Sequence, residues 1–178
     1  MKITSLIAIV VLASVSVADA GPTGFSGGSF VTNKKFGVGL ELGAPTGINA
    51  KLFLTPSNAL DFGIGEMYHY YYGGDGLHLY ADYLWHPTVL TQQPAFSLPF
   101  YVGVGARLWQ FDYSCNGRTC TGAQAVGVRV PVGITFNFNN VPLDIFLQAV
   151  PTLDFFHAYT HDIFLDIDFS VGIRFWPF

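Results

Sequence analysis

The chain has 178 residues, of which 51% are hydrophobic and 16% aromatic but only 11% charged, with 20 glycines and a net charge of −4. A soluble domain ordinarily carries about 25% charged residues, so this chain has too few to clothe a water-facing surface. Its mildly acidic balance excludes the basic patch that nucleic acid or an anionic lipid surface would require.

Lys2, the apolar run Ile3 to Val17 and the small-residue site Ala18-Asp19-Ala20 have the layout of a secretory signal peptide, so residues 1–20 are expected to be cleaved. Residues 21–34 read as a flexible Gly/Ser-rich leader. Gly24 to Gly28 match the nucleophile pattern G-x-S-x-G by composition alone, since no core strand precedes them and no helix follows. Beyond residue 20 no apolar run reaches the roughly 20 residues of a spanning helix, so membrane residence would have to come from strands.

Eight segments then alternate with a period of two, the signature of β-strands. Phe36 to Gly43 sets Phe36, Val38, Leu40 and Leu42 against Gly37, Gly39, Glu41 and Gly43. Ile48 to Leu54 follows the turn Ala44 to Gly47 and sets Ile48, Ala50, Leu52 and Leu54 against Asn49, Lys51 and Phe53. After Thr55 to Asn58 the third opposes Leu60, Phe62 and Ile64 to Asp61, Gly63 and Gly65. An aromatic, glycine-rich connection over 67–76 leads to the fourth, Leu77 to Trp85, with His78, Tyr80, Asp82 and Leu84 on its second face. Residues 86–99, with three prolines, read as a connection. The fifth, Phe100 to Trp109, carries Tyr101, Gly103, Gly105, Arg107 and Trp109 on its second face. A loop over 112–124 holds both cysteines. The sixth is one strand from Val126 to Phe136, opposing five valine and isoleucine positions and Phe136 to Gly127, Arg129, Pro131, Gly133 and Thr135. The seventh runs from Leu143 to Val150, with Asp144, Phe146 and Gln148 opposite its apolar row. A loop over 151–162 precedes the last, Ile163 to Phe175, whose odd positions are all apolar and whose even positions include Asp166, Asp168, Ser170, Gly172 and Arg174.

Charge is segregated throughout. The apolar faces carry none, while the opposite faces carry Glu41, Lys51, Asp61, Asp82, Arg107, Arg129, Asp144, Asp166, Asp168 and Arg174, at least one on each strand. A charged face meant for water would be rich in Lys, Glu and Thr. This one is nearly a third glycine, and glycine inside a narrow barrel makes room for a large neighbour. The expected fold over residues 35–178 is therefore all-β: an eight-stranded antiparallel up-and-down transmembrane β-barrel with a polar, charge-paired interior. Eight strands leave a lumen that side chains fill. Six acids and four bases would lie in it as a salt-bridged plug, because an unpaired buried charge costs several kcal/mol. The alternative, a soluble barrel with an apolar lumen, reverses the two faces. Long connections at 67–76, 112–124 and 151–162 would point outward from the cell. Aromatics at Tyr68 to Tyr72, Phe111, Tyr113 and Phe155 to Tyr159, and at Trp85, Phe96, Phe100, Trp176 and Phe178, would form the two interfacial girdles.

This plan, with a final Phe178, resembles the small eight-stranded outer-membrane barrels of the OmpX and OmpA transmembrane-domain type. Gly43-x-Pro45-Thr46-Gly47, then Lys51, then Ala59-x-Asp61-x-x-x-Gly65 is similar to a pattern in outer-membrane β-barrel proteins of Gram-negative bacteria that brings no established activity. The resemblance implies residence in the cell outer membrane among lipid and lipopolysaccharide, as a monomer, and recognition of Phe178 by the outer-membrane assembly machinery. Phe175 is in register with the apolar face, whereas Phe178 stands out of phase with it.

Candidate chemistry is sparse. Cys115 and Cys120 suit a disulfide in an exported chain. Thr160, His161 and Asp162, with His157 nearby, imitate the hydroxyl and histidine pair of barrel enzymes that trim lipid A, but no oxyanion donor accompanies them. No metal or cofactor site is expected, and no enzymatic activity. The expected role is structural or surface-interacting, through outward loops that meet a partner surface; the alternatives are a small-solute conduit and a lipid-A-modifying enzyme.

Overall fold

A computed structural model describes residues 27–69, 74–115, 118–156 and 163–177. Nine strands form one antiparallel sheet: β1 Phe36–Gly43, β2 Thr46–Phe53, β3 Asn58–His69, β4 Gly74–Gln92, β5 Phe96–Cys115, β6 Arg118–Arg129, β7 Val132–Phe138, β8 Leu143–Phe156 and β9 Ile163–Phe175. Each strand pairs with the next except β6 with β7, and β9 returns to β1, with Val38 opposite Phe175 and Leu42 opposite Val171. The hydrogen bonds thus close into a ring through eight strand positions, because β6 and β7 share one position between β5 and β8. The chain enters and leaves at the same end of the ring, called here the terminal end.

The single sixth strand expected from the sequence is thus two. Pro131 has no N–H to give to a ladder, and the break falls at Val130 and Pro131. Their carbonyl and amide partners change there: Gly103 N donates to Pro131 O at 2.8 Å and Val130 N to Pro151 O at 2.9 Å. Three expected connections are also largely strand. The proline-rich 86–99 segment is the end of a long β4–β5 hairpin, with Pro87 at the register shift after Trp85, Pro94 in the turn and Pro99 paired with Val89. Residues 112–124 belong mostly to β5 and β6, and 151–156 extend β8 past Pro151. The expected long outward loops shrink accordingly. The turn from β1 to β2 hinges on Gly43, whose φ of +125° suits glycine.

Burial is inverted relative to a water-soluble sheet. On β9 the odd positions are exposed, with Ile163 at 65%, Leu165 at 67% and Phe169 at 65% of full accessibility. Leu40, Ile48, Val126 and Leu147 stand outward in the same way on other strands. The opposite faces are buried and polar: Glu41, Lys51, Asp61, Asp82, Arg107, Arg129, Asp144, Asp168 and Arg174. Bulky interior side chains lie over glycines on the neighbouring strand, Tyr101 against Gly133 and Phe146 against Gly172.

Two parts of the expected girdles are inside instead. Phe111 keeps the inward parity of Trp109 and stacks on it, ring centroids 4.1 Å apart. Trp176 follows the end of β9 inward and packs against Gly37 and Phe53.

The leader from Gly27 on is seated across the terminal end rather than free. Val89 N donates to Gly28 O at 2.9 Å, Thr32 N to Pro56 O at 3.1 Å and Phe53 N to Lys35 O at 2.8 Å. Phe30, buried at 6% exposure, packs on Phe53 and His86. The strap thus bonds β4 at Val89, the turn before β3 at Pro56 and β2 at Phe53, whereas the tip of the β4–β5 hairpin is bonded by Asn139, whose N donates to Ala95 O at 3.0 Å.

Candidate functional site

The interior side chains form tiers along the ring. Next to the terminal end, Arg174 on β9 gathers two acids. Its Nε donates to Asp144 Oδ1 at 3.0 Å and its Nη1 to Asp61 Oδ1 at 3.1 Å and Asn49 Oδ1 at 3.2 Å. Trp176 Nε1 donates to the other oxygen of Asp144 at 2.8 Å. The guanidinium carbon lies 4.2 Å from the centroid of Phe146, a cation–π contact in a desolvated site.

Deeper in, Glu41 is caged by neutral donors. Tyr80 OH donates to it at 2.6 Å, Ser170 Oγ at 2.5 Å and Gln148 Nε2 at 3.0 Å. Asn49 Nδ2 donates to Tyr80 OH at 2.7 Å, and Tyr101 OH to Gln148 Oε1 at 3.0 Å, so this tier is continuous with the Arg174 cluster. Six strands, β1, β2, β4, β5, β8 and β9, are stitched together here through polar side chains, which pays only because nearly every group is satisfied.

The next tier is looser. Arg129 Nε lies 3.2 Å from Asp82 Oδ1, close enough for attraction between charges. Neither group, however, is aligned for a hydrogen bond. The guanidinium instead stacks on Tyr80, 3.8 Å from its centroid. His78, fully buried, has its ring centroid 5.9 Å from that of Tyr80.

At the far end Arg107 is held by three carboxylates. Its Nε donates to Asp154 Oδ1 at 2.8 Å, its Nη2 contacts Asp154 Oδ2, its Nη1 contacts Asp168 Oδ2, and Asp166 Oδ2 is 3.5 Å from Nη2. Thr152 Oγ1 donates to Asp168 at 3.4 Å. Asp166 is the outermost member, its side chain 20% exposed.

At the terminal end itself lies Lys51. Its Nζ is 2.8 Å from His86 Nε2, while His86 Nδ1 is 2.9 Å from Ser57 O. A carbonyl only accepts, so Nδ1 carries the hydrogen, Nε2 is the acceptor and Lys51 donates to it. Lys34 on the strap reaches in to Asn137 Oδ1 and lies 5.3 Å over the Trp176 ring. Burial lowers the Lys34 amine below its usual range, with nearby Asp144 opposing that shift.

All ten charged residues expected in the interior are on the inward face; nine are buried and Asp166 is half-buried. Ion pairs join Arg107, Arg129 and Arg174 to acids, whereas Lys51 meets a histidine. Sequence reasoning missed Asp154 and His86, which continue the inward parity of their strands past the expected ends at Val150 and Trp85. The register places Cys115 opposite Arg118 and Cys120 opposite Tyr113, diagonal positions rather than partners; their side chains fall outside the described residues, so the expected disulfide does too. Residues 1–20, the Thr160/His161/Asp162 set with His157, and Phe178 also lie outside the described residues.

No curated protein and no solved structure matches the chain. Residues 29–178 match a family described as protein of unknown function (DUF3996), a span that takes in the strap and all nine strands. The tiered ion pairs, the glycine-backed aromatics and the strap are therefore features of a member of the DUF3996 family, to which this chain belongs.

Proposed function

We propose that the chain is an integral outer-membrane protein: an eight-stranded up-and-down transmembrane β-barrel whose outer belt meets acyl chains and whose lumen is plugged by its own side chains. The observation that carries this reading is the inversion of burial. Rows of Leu, Ile, Val and Phe stand outward on successive strands while nine of the expected charges are buried. In water each exposed apolar Å² forgoes about 25 cal/mol, and a belt of this extent would drive association. In hydrocarbon it costs nothing, and a hydrogen-bonded ring leaves no unpaired backbone edge there. The signal-peptide layout supports export, and the terminal end would then face the periplasm.

The plug favours a structural or surface-interaction role over conduction. Arg107, Arg129, Arg174, Trp109 and Tyr101 are among the largest fully buried side chains, and they occupy the space a solute would need. Refolding the mature chain into detergent tests the fold: it should migrate faster unboiled than boiled in electrophoresis and stay monodisperse only with detergent. A monomer stable in plain buffer would refute membrane residence. Planar-bilayer recording tests the plug, which should give almost no conductance; stable ohmic steps would replace the structural role with a conduit.

A further inference from the structure

Under the strap, at the terminal end, lies a small cavity lined by Lys34, Lys51, Thr135, Asn137, Asp144 and Trp176 among others. Two of these are lysines, and among the described residues neither makes an ion pair. Lys51 donates to a neutral imidazole and lies 4.8 Å over the Tyr101 ring. Lys34 bonds an amide oxygen. The carboxylate in the cavity wall is already engaged, Asp144 accepting from Arg174 at one oxygen and from Trp176 at the other. Arg174 also serves Asp61, so this end gathers three basic side chains, Lys34, Lys51 and Arg174, against two carboxylates. The Thr135 hydroxyl, 4% exposed, has no hydrogen-bond partner.

One basic side chain in excess, uncommitted N–H donors on two lysines and an unpartnered hydroxyl open on the same small space. We propose that this cavity binds a single monovalent halide, chloride in the cell, between Lys34 and Lys51 with Thr135 as a third donor. The free room is that of about one water-sized occupant, which admits a monatomic anion and rejects carboxylate, phosphate or sulfate. Because Lys34 rides on the strap and Lys51 on β2, the ion ties the strap to the ring. Occupancy therefore stabilises the closed terminal end. The site stands whether or not the protein spans a membrane.

Crystals of the wild-type chain soaked in sodium bromide should show an anomalous peak in contact with both Nζ atoms; no peak there would overturn the site, and this readout needs no variant. In solution, the thermal transition of the refolded full chain should rise saturably with sodium chloride over sodium gluconate at equal ionic strength. Lys34→Met and Thr135→Val should each weaken the apparent halide affinity about tenfold, the loss of one donor to a charged partner. An equal rise in gluconate, or a chloride response unchanged in both variants, would overturn the proposal.

Discussion

Tyr80 lies flat over Gly63, its register partner on the neighbouring strand, so closely that a Cβ placed on the glycine would sit 2.1 Å from the Tyr80 ring. The contact is the packing unit of this interior: a large side chain on one strand uses the volume that a missing side chain leaves on the next. Gly63→Ala should therefore destabilise the protein by about 1–3 kcal/mol through overpacking, read as a lower urea midpoint in micelles. Tyr80→Ala in the same chain should remove part of that loss, a coupling of about 0.5–3 kcal/mol. Strictly additive effects would mean that the two residues do not share the space.

Among the described residues Arg107 is the one basic side chain that bonds Asp154 and Asp168, and removing it strands buried carboxylates. Arg107→Ala should cost about 3–5 kcal/mol. Replacing the cluster together, Arg107→Met with Asp154→Leu and Asp168→Leu, should be near neutral, since paired charges in a dry site add little over apolar packing. Equilibrium unfolding of the two variants side by side checks the contrast.

Phe30 anchors the strap, and Phe30→Ala should release it while leaving the ring intact. Loss of a buried phenylalanine costs about 3–5 kcal/mol, which here falls on a segment held otherwise by a few backbone bonds. Limited proteolysis should then cut within residues 27–35 at a much higher rate, with the ring fragment retaining its heat-modifiable mobility, and the Val89 amide should exchange faster.

Leu147 and Gln148 are adjacent but face opposite ways, the first 52% exposed and the second buried at 2%. If the outer face meets lipid, Leu147→Arg should cost about 2–4 kcal/mol near the bilayer midplane. On a water-facing surface the same change would stay within about 0.5 kcal/mol. Gln148→Leu should also destabilise, because Glu41, Ser170 and Tyr101 lose a shared partner. Folding into liposomes and titrating with urea measures both.

The strands and their two faces were readable because parity survives burial of either sign: Glu41, Lys51, Asp61 and Arg174 occupy the same phase as the glycines around them. What misled was proline. Strands expected to end before Pro87 and Pro151 run on, Pro87 within a register shift and Pro151 paired with Ile167, and the inward phase holds at His86 and Asp154. Pro131 did the reverse, breaking a strand that looked continuous. The strap was illegible for another reason. Phe30 is one aromatic in a Gly/Ser-rich stretch, and nothing local reveals that Phe53 and His86, both distant in sequence, leave a hole for it. The pairing of Arg107 with Asp154, and of Arg129 with Asp82, likewise depends on cross-strand stagger that alternation does not encode.

The most direct test of the central claim is the environment of the β9 outer row. Nitroxide labels placed singly at Leu165, Ile167, Phe169, Val171 and Ile173, on a background with Cys115 and Cys120 changed to serine, report whether oxygen or a water-soluble nickel chelate reaches each site in liposome-reconstituted protein. The account predicts strong relaxation by oxygen and little by the chelate along the row. Chelate relaxation at all five positions would contradict it.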